Sequence, residues 1–183
     1  MRPLHHGRRL IVSAAGLFLL LGNTGPVWAK AQKEPQLSAD LDGKPIELVE
    51  VANWFCHDFD YPVIHCFSDP TALEASSRSA QQAITVQALA SGDGAAAQSG
   101  ATYVTVYEYA SYQGSFMQMS ADYSALLTIG WNDRISSFKV RNGMSGAFYV
   151  DWFYGGSQWS FCCNQEVPAL NAYDDTFSSV KHS

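Results

Sequence analysis

From Tyr103 onward the chain alternates: Tyr103, Thr105, Tyr107 and Tyr109 fall on one side of a period-two run, and Val104, Val106 and Glu108 on the other. This is the signature of a strand with two unlike faces. Turn residues recur at Gly114, Gly130, Asn142-Gly143, Gly146 and Gly155-Gly156, so the strands are short. An all-β sandwich is predicted. Upstream the texture differs. Residues 46–67 carry Val49, Val51, Trp54, Phe55, Phe59, Val63, Ile64 and Phe67, with Cys56 and Cys66 bracketing a turn-prone Asp58-Phe59-Asp60-Tyr61-Pro62, which predicts a hairpin closed by a disulfide. Ala, Ser, Gln and Leu then dominate, and Asp69 as N-cap with Glu74 in the first turn predicts a helix over 70–90. Residues 91–100 are rich in Gly, Ala and Ser and read as a flexible linker, and residues 31–44 as a polar lead-in.

The first residues follow another pattern. Arg2, Arg8 and Arg9 precede an apolar run from Leu10 to Leu21, and Val27-Trp28-Ala29 supplies a small-residue cleavage pattern, so residues 1–29 read as a signal peptide. The run is too short to span a bilayer. A mature chain from Lys30, secreted or periplasmic, is expected, with no membrane association once the signal is removed. Cleavage leaves eight basic residues against seventeen acidic ones and moves the net charge from −6 to −9, which argues against nucleic acid and anionic membranes as partners. Of 24 aromatic residues, 17 lie in the last 82 positions. The core is therefore expected at 102–183, with residues 30–101 as an N-terminal extension.

Within 102–183 the chain repeats itself. Asn132-Asp133-Arg134-Ile135-Ser136-Ser137 and Asp174-Asp175-Thr176-Phe177-Ser178-Ser179 stand 42 residues apart, and Tyr107-x4-Tyr112-x-Gly114 and Phe148-x4-Phe153-x-Gly155 stand 41 apart. Each hexad offers acid or amide side chains, a polar turn and hydroxyls, the hard oxygen donors that suit Ca²⁺. Two such motifs of about forty residues could each form a Greek key, burying a shared interior between two sheets.

An aromatic-x4-aromatic-x-Gly hairpin followed by (Asn/Asp)-(Asn/Asp)-x-x-(Ser/Thr)-Ser resembles the signature of microbial Ca²⁺-binding βγ-crystallins. The resemblance implies a two-motif Greek-key β-sandwich with two Ca²⁺ ions at one end, each site shared between motifs. It implies the Arg134 carbonyl and Ser136 hydroxyl for the first site, completed by Asp175. For the second it implies the Thr176 carbonyl and Ser178 hydroxyl, completed by Asp133. Hairpin carbonyls at or near Glu108 and Tyr149 would contribute, whereas Ser137 and Ser179 would hydrogen-bond the hairpins. One carboxylate per site points to modest affinity, and the Arg134 cation makes the first site the expected weaker one.

Other constellations point less far. Cys56-His57 with His65-Cys66 can be drawn as a zinc site, but the spacing is wrong for a zinc finger and export favours cystine. Cys162-Cys163 allows a bond between neighbours or a bridge to the hairpin, and the sequence leaves this open. No enzyme constellation emerges: the serines lack a Gly-x-Ser-x-Gly context, and Cys56 and His57 are sequence neighbours. The expected function is an exported calcium-binding module in which the ion stabilises structure. The alternative is an interaction protein, such as a protease inhibitor or a cell-surface glycan binder, using the loop from Phe153 to Trp159 or the Cys56–Cys66 hairpin.

Overall fold

A computed structural model of the chain describes residues 36–92 and 101–183. The expected signal peptide, residues 31–35 of the expected lead-in and residues 93–100 of the expected linker lie outside the described residues, and the rest of the lead-in is not irregular but holds β1 and the start of β2. Four strands precede the helix: β1 (Ser38–Leu41), β2 (Lys44–Ile46), β3 (Phe55–Asp60) and β4 (Val63–Phe67). Then come α1 (Pro70–Ser91), β5 (Tyr103–Tyr109), β6 (Gln113–Met119), β7 (Ser137–Arg141), β8 (Gly146–Tyr149), β9 (Gln158–Phe161), β10 (Glu166–Val167) and β11 (Ser179–His182). Asp69 starts the helix by accepting the Thr71 N–H at 2.9 Å, Pro70 occupies the first turn where no N–H is needed, and Gly92 ends it at a left-handed φ of 81°.

The strands form an eight-stranded sheet in the order β10-β7-β5-β6-β3-β4-β1-β2 and a three-stranded sheet in the order β11-β8-β9. Each crystallin-like repeat pairs backbone with the other's sheet, the second through a short strand and the first through a single bridge. β10, from the second repeat, pairs with β7, while Tyr123 of the first repeat bridges to Val180 on β11. This exchange is the Greek-key interlock, and neither repeat could bury its apolar face without its partner. Between the sheets lie Val104, Val106, Met117, Met119, Trp131, Phe138, Phe148, Phe161, Phe177 and Val180.

The N-terminal extension is not a satellite. β3 runs parallel to β6, with Cys56 opposite Met117, so the hairpin continues the first repeat's own sheet. Val51, Ala52, Cys56, Ile64 and Cys66 join the same buried cluster as the sandwich. A buried carboxylate secures the joint: Asp58 accepts hydrogen bonds from the Ser120 N–H (2.6 Å) and hydroxyl (2.7 Å), the Ala121 N–H (3.2 Å) and the Tyr123 hydroxyl (2.9 Å). Four donors offset much of the cost of burying that group. Cys56 and Cys66, opposite each other on β3 and β4, are bonded as a disulfide, which leaves no thiolates for a Cys2His2 zinc site. Cys162 and Cys163 are bonded to each other in the exposed turn after β9, not to the hairpin.

Candidate metal centre

The two repeats obey one spacing, and it corrects the alignment read from the sequence. Left-handed backbone occurs at Ser111, Tyr112 and Gly114 in the first hairpin and at Phe153, Tyr154 and Gly156 in the second, a constant offset of 42 residues. The true counterpart of Tyr107-x4-Tyr112-x-Gly114 is therefore Tyr149-x4-Tyr154-x-Gly156, one residue later than the Phe148-Phe153-Gly155 reading. Edge-to-face ring pairs agree: Tyr107 with Tyr112 at 5.5 Å and Tyr149 with Tyr154 at 5.9 Å. Phe148 instead points into the core, where it stacks on Phe177. The misreading arose because a run of aromatics and a Gly-Gly pair fit the pattern in two registers. Only Gly156 has the positive φ, 73°, that demands glycine.

It follows that Glu108 and Tyr149 are not equivalent positions. Glu108 corresponds to Val150, and Tyr149 to Tyr107. The Tyr107 and Tyr149 carbonyls play matching parts, accepting the N–H groups of Ser136 (3.0 Å) and Ser178 (2.8 Å).

The hexads themselves are cross-joined. The Asp133 N–H donates to the Phe177 carbonyl (3.0 Å) and the Asp175 N–H to the Ile135 carbonyl (3.2 Å), a reciprocal pair about a local twofold. Asp133 and Asp175 both take left-handed backbone, at φ 54° and 51°. Aspartate tolerates that conformation better than most residues. Ser137 and Ser179 fasten the hairpins: their hydroxyls donate to the carbonyls of Tyr109 and Asp151, both at 2.7 Å, and accept the N–H groups of Tyr112 (3.1 Å) and Tyr154 (3.0 Å).

At the first site the Ser136 hydroxyl reaches across the motif boundary to Asp175 Oδ1 at 3.2 Å. At the second, Asp133 Oδ2 accepts instead from Asn132 Nδ2 at 2.7 Å, and the Thr176 hydroxyl donates to the Tyr173 carbonyl at 2.9 Å. The sites thus share a frame but differ in their side-chain contacts. Burial, then the neighbouring charges of Asp174, Asp133 and Glu108, raise the Asp175 carboxyl above the ordinary aspartate range against the Ser136 hydrogen bond. A cation would relieve that crowding of carboxylates.

Arg134 Nη2 is bound to Glu108 Oε1 at 2.7 Å. Burial opposes the Glu108 charge, but hydrogen bonds from Arg134 and Ser115 outweigh it and hold that carboxyl below its usual range. The guanidinium that made the first site the expected weaker one is therefore neutralised, and that ground for ranking the sites is removed. Among the described residues no group of three or more His, Cys, Asp or Glu clusters as a cation cage. Each of the two hexad sites would instead use one carboxylate with hydroxyl and carbonyl oxygens, a donor set that suits calcium.

Residues 103–182 match the sequence profile of the family described as Beta/Gamma crystallin. The chain carries a beta/gamma crystallin domain. Among solved structures similar to it, a βγ-crystallin from an archaeon is 28% identical, the match covering 46% of this chain and 100% of that one at a TM-score of 0.41. A βγ-crystallin domain from Clostridium beijerinckii is 27% identical over 44% of this chain and 95% of its own, at 0.39. One from Ciona intestinalis is 24% identical over 44% and 99%, at 0.41. Comparison with the curated proteins gives no match. The family match ends at the crystallin domain, and the β3–β4 hairpin and α1 lie before it.

Proposed function

We propose that this protein is an exported calcium-binding module, in which two Ca²⁺ ions each bridge the paired Greek keys and stabilise the fold. The observation that carries this reading is the contact of Ser136 with Asp175 across the motif boundary, set within the reciprocal hydrogen bonds between the hexads. A hydroxyl and a carboxylate from different motifs already converge there, so an ion binding both would oppose separation of the motifs. Asp175, Ser136 and the Arg134 carbonyl would hold the first ion; Asp133, Ser178 and the Thr176 carbonyl the second. By the 42-residue register the candidate hairpin carbonyls form a matched pair, Glu108 with Val150 or Tyr107 with Tyr149.

An ion that binds only the folded state raises stability by mass action. Thermal melts in EDTA and in millimolar CaCl2, with calorimetric titration, test this: a higher melting temperature and two binding events are expected. An unchanged melt without binding heat would sink the reading. Asp175→Ala should remove the first event and Asp133→Ala the second.

A second reading, protein or glycan recognition, is favoured by one observation. Trp152 is 49% and Phe153 74% exposed at the tip of the second hairpin, whereas Trp159 is occupied by packing on Phe138 and Tyr173. Any recognition loop would thus centre on Trp152 and Phe153. Inhibition assays against a protease panel and pull-down on cell-envelope material, with Phe153→Ala as the control, test it.

A further inference from the structure

Among the described residues, the N-terminal extension hydrogen-bonds the first hexad and makes no hydrogen bond to the second. Its turn of helix at Leu48–Asn53 meets the first hexad from two sides. Ahead of the hexad, the Val49 carbonyl presses against Gly130 so closely that a Cβ there would overlap it. Within the hexad, Arg134 Nη1 donates to Asn53 Oδ1 at 3.3 Å. The same guanidinium binds Glu108 Oε1, while Glu108 Oε2 accepts the Ser115 N–H at 3.4 Å and lies 3.0 Å from the Ser115 hydroxyl. That hydroxyl has one proton for two acceptors, and its shorter contact, 2.6 Å, is to the Ala52 carbonyl. A closed circuit results, leaving the extension at Ala52, passing through Ser115, Glu108 and Arg134, and returning at the neighbouring Asn53.

The second motif has no such circuit. Forty-two residues on, Glu108, Ser115 and Arg134 become Val150, Ser157 and Thr176, with neither a carboxylate nor a cation to pair. The local twofold therefore holds for the backbone frame and fails for the charge beside each site.

Resting on the calcium reading above, we propose that the extension tunes the first calcium site and not the second, with Asn53, Ser115 and Glu108 as positioning residues that hold the Arg134 guanidinium paired and neutralised. An unpaired guanidinium beside a divalent cation lowers its affinity by direct repulsion; pairing it with Glu108 removes most of that effect. Asn53 and the Ala52 carbonyl fix the pair's orientation, so the docked state of the extension is read out in the affinity of one site.

The test uses the full mature chain and CaCl2 in calorimetric titration. With the second site disabled by Asp133→Ala, Glu108→Gln, which keeps the main-chain carbonyl, should weaken the first site by about fivefold. Adding Arg134→Gln should restore the affinity to within about twofold, because no cation is left to repel the ion. Asn53→Ala should weaken it by about twofold. With the first site disabled by Asp175→Ala, none of these changes should alter the second. Equal losses at both sites, or no recovery on adding Arg134→Gln, would overturn the proposal while leaving calcium binding intact. No binding heat in the unmodified chain would defeat the calcium reading and this one with it. A calcium-free arm separates the two: in EDTA, melting shifts for Asn53→Ala and Arg134→Gln should be non-additive, and strict additivity would show that the circuit does not exist.

Discussion

The two halves of the crystallin domain share a backbone and differ in what surrounds them. Both hairpins turn through the same left-handed residues, both are fastened by a hexad serine, and both tyrosine corners lie under a lysine, Lys139 over Tyr112 at 4.0 Å and Lys181 over Tyr154 at 5.4 Å. Yet the first half is extended by β3, latched by Asp58 and wired to Asn53, whereas the second ends in a three-stranded sheet with the exposed Trp152 and Phe153 at its hairpin. Repetition sets the frame because backbone hydrogen bonds and glycine conformations tolerate few alternatives. Side chains outside that frame are free to diverge, and here one half has become the attachment surface for the rest of the chain.

The sharpest way to break this asymmetry is to remove the latch. Asp58→Ala leaves buried N–H and hydroxyl donors of Ser120, Ala121 and Tyr123 without an acceptor, and should cost about 3 kcal/mol or more in denaturant unfolding, with hydrogen exchange rising first in β3 and β6. A loss spread evenly over both halves would contradict a latch local to the first.

Acid should act on the same side. His57 lies buried between the sheet and α1, its Nε2 against the Ser76 hydroxyl at 2.9 Å, and burial, then the charge of His65, lowers its pKa to about 4 from an ordinary 6.5. The unfolded chain therefore takes up a proton at His57 before the folded one does. Stability should fall as pH drops from 6.5 towards 4, by up to about 3 kcal/mol at the low end. Replacing His57 with Gln should flatten that limb of the stability–pH curve, and an unaltered curve would rule out this origin.

The 42-residue register is tested by neighbouring glycines. Gly156→Ala places a Cβ at φ 73° and within 2.6 Å of both Asp151 Oδ2 and a Val150 methyl, whereas Gly155→Ala meets nothing nearer than 3.3 Å at an ordinary φ of −96°. The first should cost about 2 kcal/mol and the second less than about 1. Equal costs would restore the 41-residue reading.

The smallest expected difference concerns the lysines. Lys139→Met should lose about 0.5 kcal/mol more than Lys181→Met, because the first ammonium sits closer to its ring. Thermal melts at low and high salt would show whether that gap exists.

Much of this fold was legible from periodicity and punctuation. Asp69-Pro70 marked the helix start, alternation from Tyr103 marked β5, and Cys56 and Cys66 flanked a turn short enough to bring them opposite each other. The hexads declared themselves through spacing, since a repeat of oxygen-bearing residues stands out whatever its partners. The second hairpin's register was less legible: Phe148, Tyr149, Phe153, Tyr154, Gly155 and Gly156 fit the motif twice over, and only the φ angles and the burial of Phe148 choose between the fits. Asn53 and Ser115 gave no signal, and Asp58 read as a turn residue although it lies buried in β3, because each finds its partner 62 to 81 residues away.

By itself, then, the sequence determined the local elements, the repeat and the oxygen-rich hexads, all of which depend on residues near one another in the chain. Tertiary structure alone decided that the hexads join reciprocally, that the extension continues the first sheet, and that Arg134 is neutralised on one side of a near-symmetric pair. Those outcomes depend on which distant backbones share hydrogen bonds and which side chains are buried together, and no local pattern encodes them.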